Sequence, residues 1–337
     1  MISRQDIPGR KSARDSILES DFCKINGITD LNALNTLGTV FGIEGKHERF
    51  VAKLCDHRHD EIVINNLLAK TCQRLSAPLM AAEDSGVAIF ARCEEYILDL
   101  ARSYNDQRLE NDLYNAAALL SRIHFIALDE GIGNSRPKVQ VGRFHEISFD
   151  DYLNLPGFEI NTYVEAAQAM NRHLSYVNKV PTTCFIHGDF KVDNIMIWQG
   201  QLVAIDWESA GRGHREADLG IFIGCIVSIW LKEKAISYSG DIARILSMGD
   251  VGLKQCVLAI SQFLARYCSN TVSKLNYRLL GIYAGYFLLD RGLVANILGG
   301  RFNLETTMCF KLGQLLISQP IKIAKICKGL VQDELGA

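Results

Sequence analysis

The chain has 337 residues, 48% of them apolar and 22% charged, with a formal net charge of −2. That length can bury a sizeable core in more than one unit, and this composition excludes a disordered or collagen-like chain. The near-zero charge gives no electrostatic footprint for nucleic acid.

The ten cysteines form no C-x-x-C pair and no Cys/His cluster at zinc spacing. Most lie in apolar runs, where a cysteine is a small buried hydrophobe, and this usage points to a reducing, cytoplasmic location. The basic first residues are followed by no apolar segment, so no secretory signal is expected. The longest apolar run, Leu219 to Leu231, is broken by Ser228 and is too short for a bilayer span, so no membrane partner is expected.

Residues 1 to about 20 are polar and read as loosely ordered or as a peripheral helix. Leu37 to Ile43, a turn over Glu44-Gly45-Lys46-His47, and Phe50 to Leu54 read as strand, hairpin and strand. Lys53 sits at the end of the second strand, where a lysine is either an edge charge or a group aimed at an anion. Asp60 to Arg74 places Ile62, Ile64, Leu67, Leu68 and Cys72 largely on one helical face. Glu61 lies in its first turn, where the helix dipole alone would favour an acid. Val87 to Ala91 reads as a strand leading into Arg92-Cys93-Glu94. Leu113 to Leu128 reads as an amphipathic helix with His124 on its apolar face, a satisfied core residue. Gly131 to Pro156 reads as a loop or insertion, and Ile160 to Asn178 as a helix. Helices are expected over Leu219 to Lys234, Gly252 to Ser269, Ser273 to Leu298 and Leu304 to Lys328.

The stretch from Cys184 to Gly220 carries the chemistry. An apolar Cys184-Phe185-Ile186 run precedes Asp189, Asn194 follows five residues later, and a second apolar run, Leu202 to Ile205, leads into Asp206. Two short strands thus deliver a carboxylate and an amide from one loop and a second carboxylate from the next. Magnesium takes oxygen ligands of this kind together with phosphate oxygens, and a further carboxylate can orient an attacking hydroxyl and accept its proton.

His187-Gly188-Asp189, then Asn194, then Ile205-Asp206-Trp207-Glu208 resemble the signature of the aminoglycoside phosphotransferase and choline kinase family, small-molecule relatives of the protein kinases. The resemblance implies an α/β (α+β) fold of two lobes, a small β-rich N-lobe over residues 1–92 and a larger, mostly helical C-lobe over residues 93–337. It implies ATP or GTP and Mg²⁺ as cofactors, with Asp189 as the catalytic carboxylate and Asn194 and Asp206 as metal ligands. Phe50 to Leu54 is similar to the kinase strand whose lysine meets the α- and β-phosphates, which gives that role to Lys53 and the role of its partner to Glu61. The nucleotide loop would lie over Asn35 to Phe41 with the single glycine Gly38, and adenine would be read by backbone groups at Ala91 and Cys93. Lys191 matches the phosphate-facing lysine of many Ser/Thr kinases or is a solvated loop lysine. Glu208 is a group behind the metal or a loop acid. His187 reads as structural, holding backbone carbonyls, and Asp218 as a helix cap that also braces the catalytic loop.

The motifs leave the acceptor open. From Val251 to Ala337 ten Lys or Arg face four Asp or Glu, in a chain of net charge −2. That excess disfavours a polycationic aminoglycoside and favours a neutral or anionic hydroxyl compound, or Ser/Thr in an acidic peptide. If the acids Glu146, Asp150, Asp151 and Glu159 line the pocket instead, an aminoglycoside fits. The segment from Asp206 to Gly220 also resembles kinase-fold proteins that phosphorylate precursor peptides of natural products, which would make a downstream lyase a partner. A pseudokinase scaffold that keeps the fold without the chemistry is the remaining alternative.

Overall fold

The computed structural model of the chain describes residues 12–34, 40–44, 48–54, 60–71, 74–83, 86–96, 98, 107–128, 133–134, 168, 171, 173–182, 184–237, 251–271, 274–299, 303–320 and 329. Gly38, the acids at 146, 150, 151 and 159, and nearly all of the expected loop 131–156 lie outside them. The chain divides into two compact units, Met1–Tyr96 with Ile195–Glu208, and Ile97–Asn194 with Ser209–Ala337.

The first unit is built on an antiparallel sheet. Strands β1 (Asn32–Ala33), β2 (Val40–Glu44), β3 (Arg49–Leu54), β4 (Leu79–Ala82) and β5 (Val87–Ala91) take the order β1-β2-β3-β5-β4. The alternating residues Phe41 and Ile43 of β2 point to one face, where they join Ala52, Val87 and Ile89. Two short helices, α1 (Ala13–Leu18) and α2 (Asp21–Ile25), cover that face. Ser12 and Ser20 cap them, their hydroxyls accepting from the N–H groups of Asp15 and Cys23. The described part of the N-terminal stretch, from Ser12, is therefore not peripheral: Ile17 is buried in this core together with Cys23 and Leu31. Each short helix buries a single residue, Ile17 or Cys23, too weak a pattern to announce itself. Helix α3 (Asp60–Thr71) follows β3.

The same unit contains a three-stranded sheet in which β8 (Ile195–Trp198) lies between β6 (Glu94–Glu95) and β9 (Gln201–Ala204). Gln199 and Gly200 connect β8 to β9 with φ of 50° and 76°, the two-residue hairpin turn whose twist matches its strands. The Ala204 N–H donates to the Leu75 carbonyl at 2.8 Å and anchors the hairpin.

The second unit is mostly helical. It comprises α4 (Gln107–His124), α5 (Arg215–Ser237), α6 (Val251–Ser269), α7 (Tyr277–Gly299) and α8 (Leu304–Ser318), with a short antiparallel pair of β7 (Cys184–Ile186) and β10 (Gly211–Gly213). Helix α7 starts later than the expected Ser273 because the Asn276 side chain accepts from the Leu279 N–H and caps it. It packs against both α5 and α8 at distances only glycine allows. A Cβ on Gly220 would lie 2.6 Å from the Tyr283 Cβ, and one on Gly313 would lie 2.8 Å from the Gly285 carbonyl oxygen. Among the described residues no helix is long and apolar enough to cross a membrane.

Candidate active site

In the second unit, the loop that follows β7 is held from below. The fully buried Asp218 of α5 accepts from the His187 N–H and the Gly188 N–H, each at 2.8 Å. Its Oδ2 also lies 3.0 Å from His124 Nε2, and His124 Nδ1 lies 2.7 Å from the Tyr267 hydroxyl. A carboxylate only accepts, so Nε2 carries the proton and Nδ1 accepts from Tyr267. Burial pushes the Tyr267 phenol well above its ordinary pKa, which keeps it a donor. The chain Tyr267, His124, Asp218 thus ends on two loop amides, with Gly188 at a φ of 81°. Phe190 anchors the other side of the loop, 5.6 Å from the Phe222 ring, which lies 4.4 Å from Phe263.

On that support Asp189 is almost fully buried, and its Oδ2 accepts from Lys191 Nζ and from Asn194 Nδ2, each at 2.9 Å. Asn194 Nδ2 also donates to the Asp189 carbonyl at 2.9 Å. Its amide nitrogen is therefore committed to Asp189, and the carbonyl oxygen is the atom it can offer a hard cation. His187 accepts from the Asp189 N–H through Nδ1 at 3.2 Å. The imidazole thus holds a backbone N–H of the loop, the structural role expected of it. Asp218 braces the loop as expected, but it stands inside the first turn of α5 and is not its cap.

In the first unit, Lys53 on β3 meets three carboxylates. Its Nζ lies 2.7 Å from Glu61 Oε2, 2.6 Å from Asp206 Oδ1 and 3.2 Å from Glu208 Oε2. Glu61 is buried on α3, and its carbonyl accepts from the Asn65 side chain one turn later. Asp206 follows β9 with a φ of 65°, a left-handed conformation that Asp tolerates better than most residues. This turn, with the buried Trp207 donating from Nε1 to the Ala204 carbonyl at 3.0 Å, swings the carboxylate toward Lys53. Burial pulls the Lys53 pKa down, but Glu61, Asp206 and Glu208 together outweigh it, and the ammonium is held above its ordinary value. Glu208, left open by the sequence, thus belongs to the Lys53 cluster.

Glu61, Asp206 and Glu208 offer oxygen atoms within 4.8 Å of one another. Three carboxylates around one ammonium leave a local excess of negative charge carried by hard oxygen donors, which fits Mg²⁺. At the end of β5, the Ala91 N–H donates to the Pro78 carbonyl at 2.9 Å and the Arg92 N–H to the Arg49 carbonyl at 3.0 Å. Those two amides are spent within the sheet. Outside the sheet ladder and among the described residues, the Ala91 carbonyl meets only the weak Cys93 thiol, at 3.8 Å, and can accept further. The Cys93 N–H two residues on has no partner among the described residues. An acceptor and a donor so spaced on one edge suit the amino group and ring nitrogen of adenine.

Residues 40–246, more than half of the chain, match the sequence profile of the phosphotransferase enzyme family. The chain belongs to that family. No curated protein matches it by overall sequence. Among solved structures, this phosphotransferase is similar to choline kinase LicA from Streptococcus pneumoniae, with 15% identity over 90% of this chain and 99% of that one, at a TM-score of 0.57. It is also similar to a choline/ethanolamine kinase family protein from Mesorhizobium loti, with 11% identity over 95% and 98% of the two chains and a TM-score of 0.57. A thermostable mutant of aminoglycoside phosphotransferase APH(4)-Ia aligns at 13% identity over 96% and 100%, with a TM-score of 0.51. These likenesses establish the protein-kinase-like fold, a β-sheet N-terminal region and a helical C-terminal region.

Proposed function

We propose that this phosphotransferase moves the γ-phosphoryl group of ATP, or of GTP, to the hydroxyl of a neutral or anionic small molecule or of Ser/Thr in a peptide. The observation that carries the reading is the Lys53 ammonium held between Glu61 and Asp206, at 2.7 and 2.6 Å, by residues up to 153 positions apart. An isolated edge lysine would not draw a buried glutamate and a left-handed aspartate to itself. Lys53 binds the α- and β-phosphates and Glu61 keeps it pointed at them. The Ala91 carbonyl and Cys93 N–H bind the base edge. Asp206 and the Asn194 carbonyl oxygen would hold Mg²⁺, which would supply positive charge to offset that of the phosphates.

Asp189 orients the acceptor hydroxyl and takes its proton. Lys191 and Asn194 fix the rotamer of Asp189, and the Asp218 brace fixes its backbone, so the carboxylate needs no reorganisation at the moment of transfer. Replacing Asp189 by Asn should lower turnover by on the order of 10²–10⁴-fold while nucleotide binding persists. Wild-type turnover in that variant would overturn the assignment. An ATP-consumption screen tests the acceptor class, with kanamycin-type compounds expected to be poor substrates. A protein stabilised by ATP with no magnesium effect and no ATP consumption with any acceptor would instead be a scaffold.

A further inference from the structure

The basic excess of the C-terminal segment resolves residue by residue. Arg266 and Arg278 lie over the rings of Tyr114 and Tyr176, at 3.6 and 3.9 Å from the centroids, and are spent on packing. Arg291 on α7 is different. Its guanidinium is 43% exposed, and its Nη1 lies 4.0 Å from Asp193 Oδ2, itself 66% exposed. That separation is too long for a hydrogen bond, and an exposed pair of this kind holds its partners weakly. The backbone beneath it is nevertheless fixed, since a Cβ on Gly292 would lie 2.8 Å from the Thr306 carbonyl oxygen.

Asp193 lies in the short turn Val192–Asn194 of the catalytic loop, four residues after Asp189. The Asn194 N–H donates to the Lys191 carbonyl at 2.9 Å and closes that turn. The Arg291 fork therefore borders the turn whose last residue, Asn194, donates from Nδ2 to Asp189 Oδ2 at 2.9 Å.

We propose that Arg291 is an acceptor-binding residue, and that the hydroxyl compound phosphorylated here carries an anionic group, a carboxylate or a phosphate. The inference rests on the phosphotransfer reading above. The acceptor anion displaces the loose Asp193 contact and takes the planar fork in two parallel hydrogen bonds, while its hydroxyl lies at Asp189. A cationic acceptor could meet the exposed Asp193, but among the described residues it would also meet Lys191 at the Asp189 carboxylate and Arg291 at the same turn.

The test uses the full chain with MgATP and two matched series, glycerate, glycerol 3-phosphate and glycerol, and gluconate, glucose 6-phosphate and glucose, with choline and kanamycin as cationic controls. An anionic member should be the best acceptor, and the series show whether carboxylate or phosphate is preferred. Arg291→Ala should raise the KM for that acceptor by about 10- to 100-fold. The KM for ATP should stay within about twofold, and Arg291→Lys should fall in between, a pattern that general loss of structure would not give. The proposal is overturned if no anionic member is turned over, if neutral or cationic members are preferred, or if Arg291→Ala leaves the acceptor KM unchanged. Turnover confined to neutral or cationic acceptors would leave the phosphotransferase reading standing. Absence of both MgATP stabilisation and ATP consumption would remove that reading as well.

Discussion

Removing the Asp218 carboxylate is the sharpest test of the brace beneath the catalytic loop. Its oxygens accept from two main-chain N–H groups at 2.8 Å and from His124 at 3.0 Å, and the residue is fully buried. In Asp218→Ala both amides lose their acceptor, at about 1–3 kcal/mol each, and His124 loses its partner as well. Water entering the space left behind would recover part of this, so a net cost of about 3–5 kcal/mol is expected. For a unit of this size that is roughly 6–15 °C in Tm. Asp218→Asn keeps one acceptor oxygen but turns an NH₂ group toward a donor, and should cost about half as much. Thermal denaturation followed by circular dichroism measures the stability. Turnover at a temperature where both variants are folded measures the loop, and should fall in both because Asp189 loses its fixed backbone. An Asp218→Ala protein that melts within about 2 °C of wild type and keeps its turnover would show that the loop stands without the brace.

Other outcomes follow from the same geometry. Lys53→Met should lower turnover by on the order of 10²–10³-fold. It should also increase the Tm shift produced by Mg²⁺ alone, since Glu61, Asp206 and Glu208 lose their counter-ion; an unchanged magnesium shift would count against the cluster as a cation site. The folded pKa of Lys53 is raised above its ordinary 10.5, so its stabilising contribution is fully present below that value and lost only as pH rises through the higher folded value. The Tm difference between wild type and Lys53→Met should therefore be flat from about pH 7 to 10, and a decline within that window would refute the assignment. Gly220→Ala should destabilise by about 1–3 kcal/mol in chemical denaturation, because its Cβ would meet the Tyr283 Cβ at 2.6 Å and the Ala284 nitrogen at 2.8 Å. A neutral result would mean that α5 and α7 can separate freely.

Much of this molecule was legible because its chemistry is local in sequence. Asp189, Asn194 and Asp206 lie within seventeen positions of one another, and β7 and β9 appear where the apolar runs Cys184–Ile186 and Leu202–Ile205 stand, while β8 between them was not read. The strand Val87–Ala91 also matches its pattern, because an apolar run bounded by Gly86 and Arg92 admits few other readings. What escaped notice was carried by single residues or by distant partners. Ile17 and Leu18 form a short apolar pair in a mostly polar stretch, and β4, with the sequence Leu-Met-Ala-Ala, has no β-branched residue to mark it as a strand. Tyr267 joins the brace from 143 residues away, in a helix whose apolar pattern gives no hint that one hydroxyl faces a histidine. Glu208 could be read two ways because a carboxylate after Asp206 has no fixed direction until the positive φ of Asp206 sets it.

Net charge over a segment is a poor guide to what a pocket will accept, and the C-terminal basic residues show why. A charge acts on a ligand according to its position and its existing partners, and screening removes most of what lies beyond about 10 Å. Arg266 and Arg278 have their faces covered by tyrosine rings, so a ligand would have to break a cation–π contact to use them. Lys254, Lys274 and Lys311 are exposed on the surface, where solvent and salt blunt them, while Arg301, Lys322, Lys325 and Lys328 lie outside the described residues. The Coulombic case against a polycationic acceptor therefore narrows to Arg291, with Lys191 over Asp189 as its ally and the exposed Asp193 as its opponent. One weakly held guanidinium at the turn that follows Asp189 is a stronger argument than ten charges counted along a chain, because its removal should change a measurable binding constant.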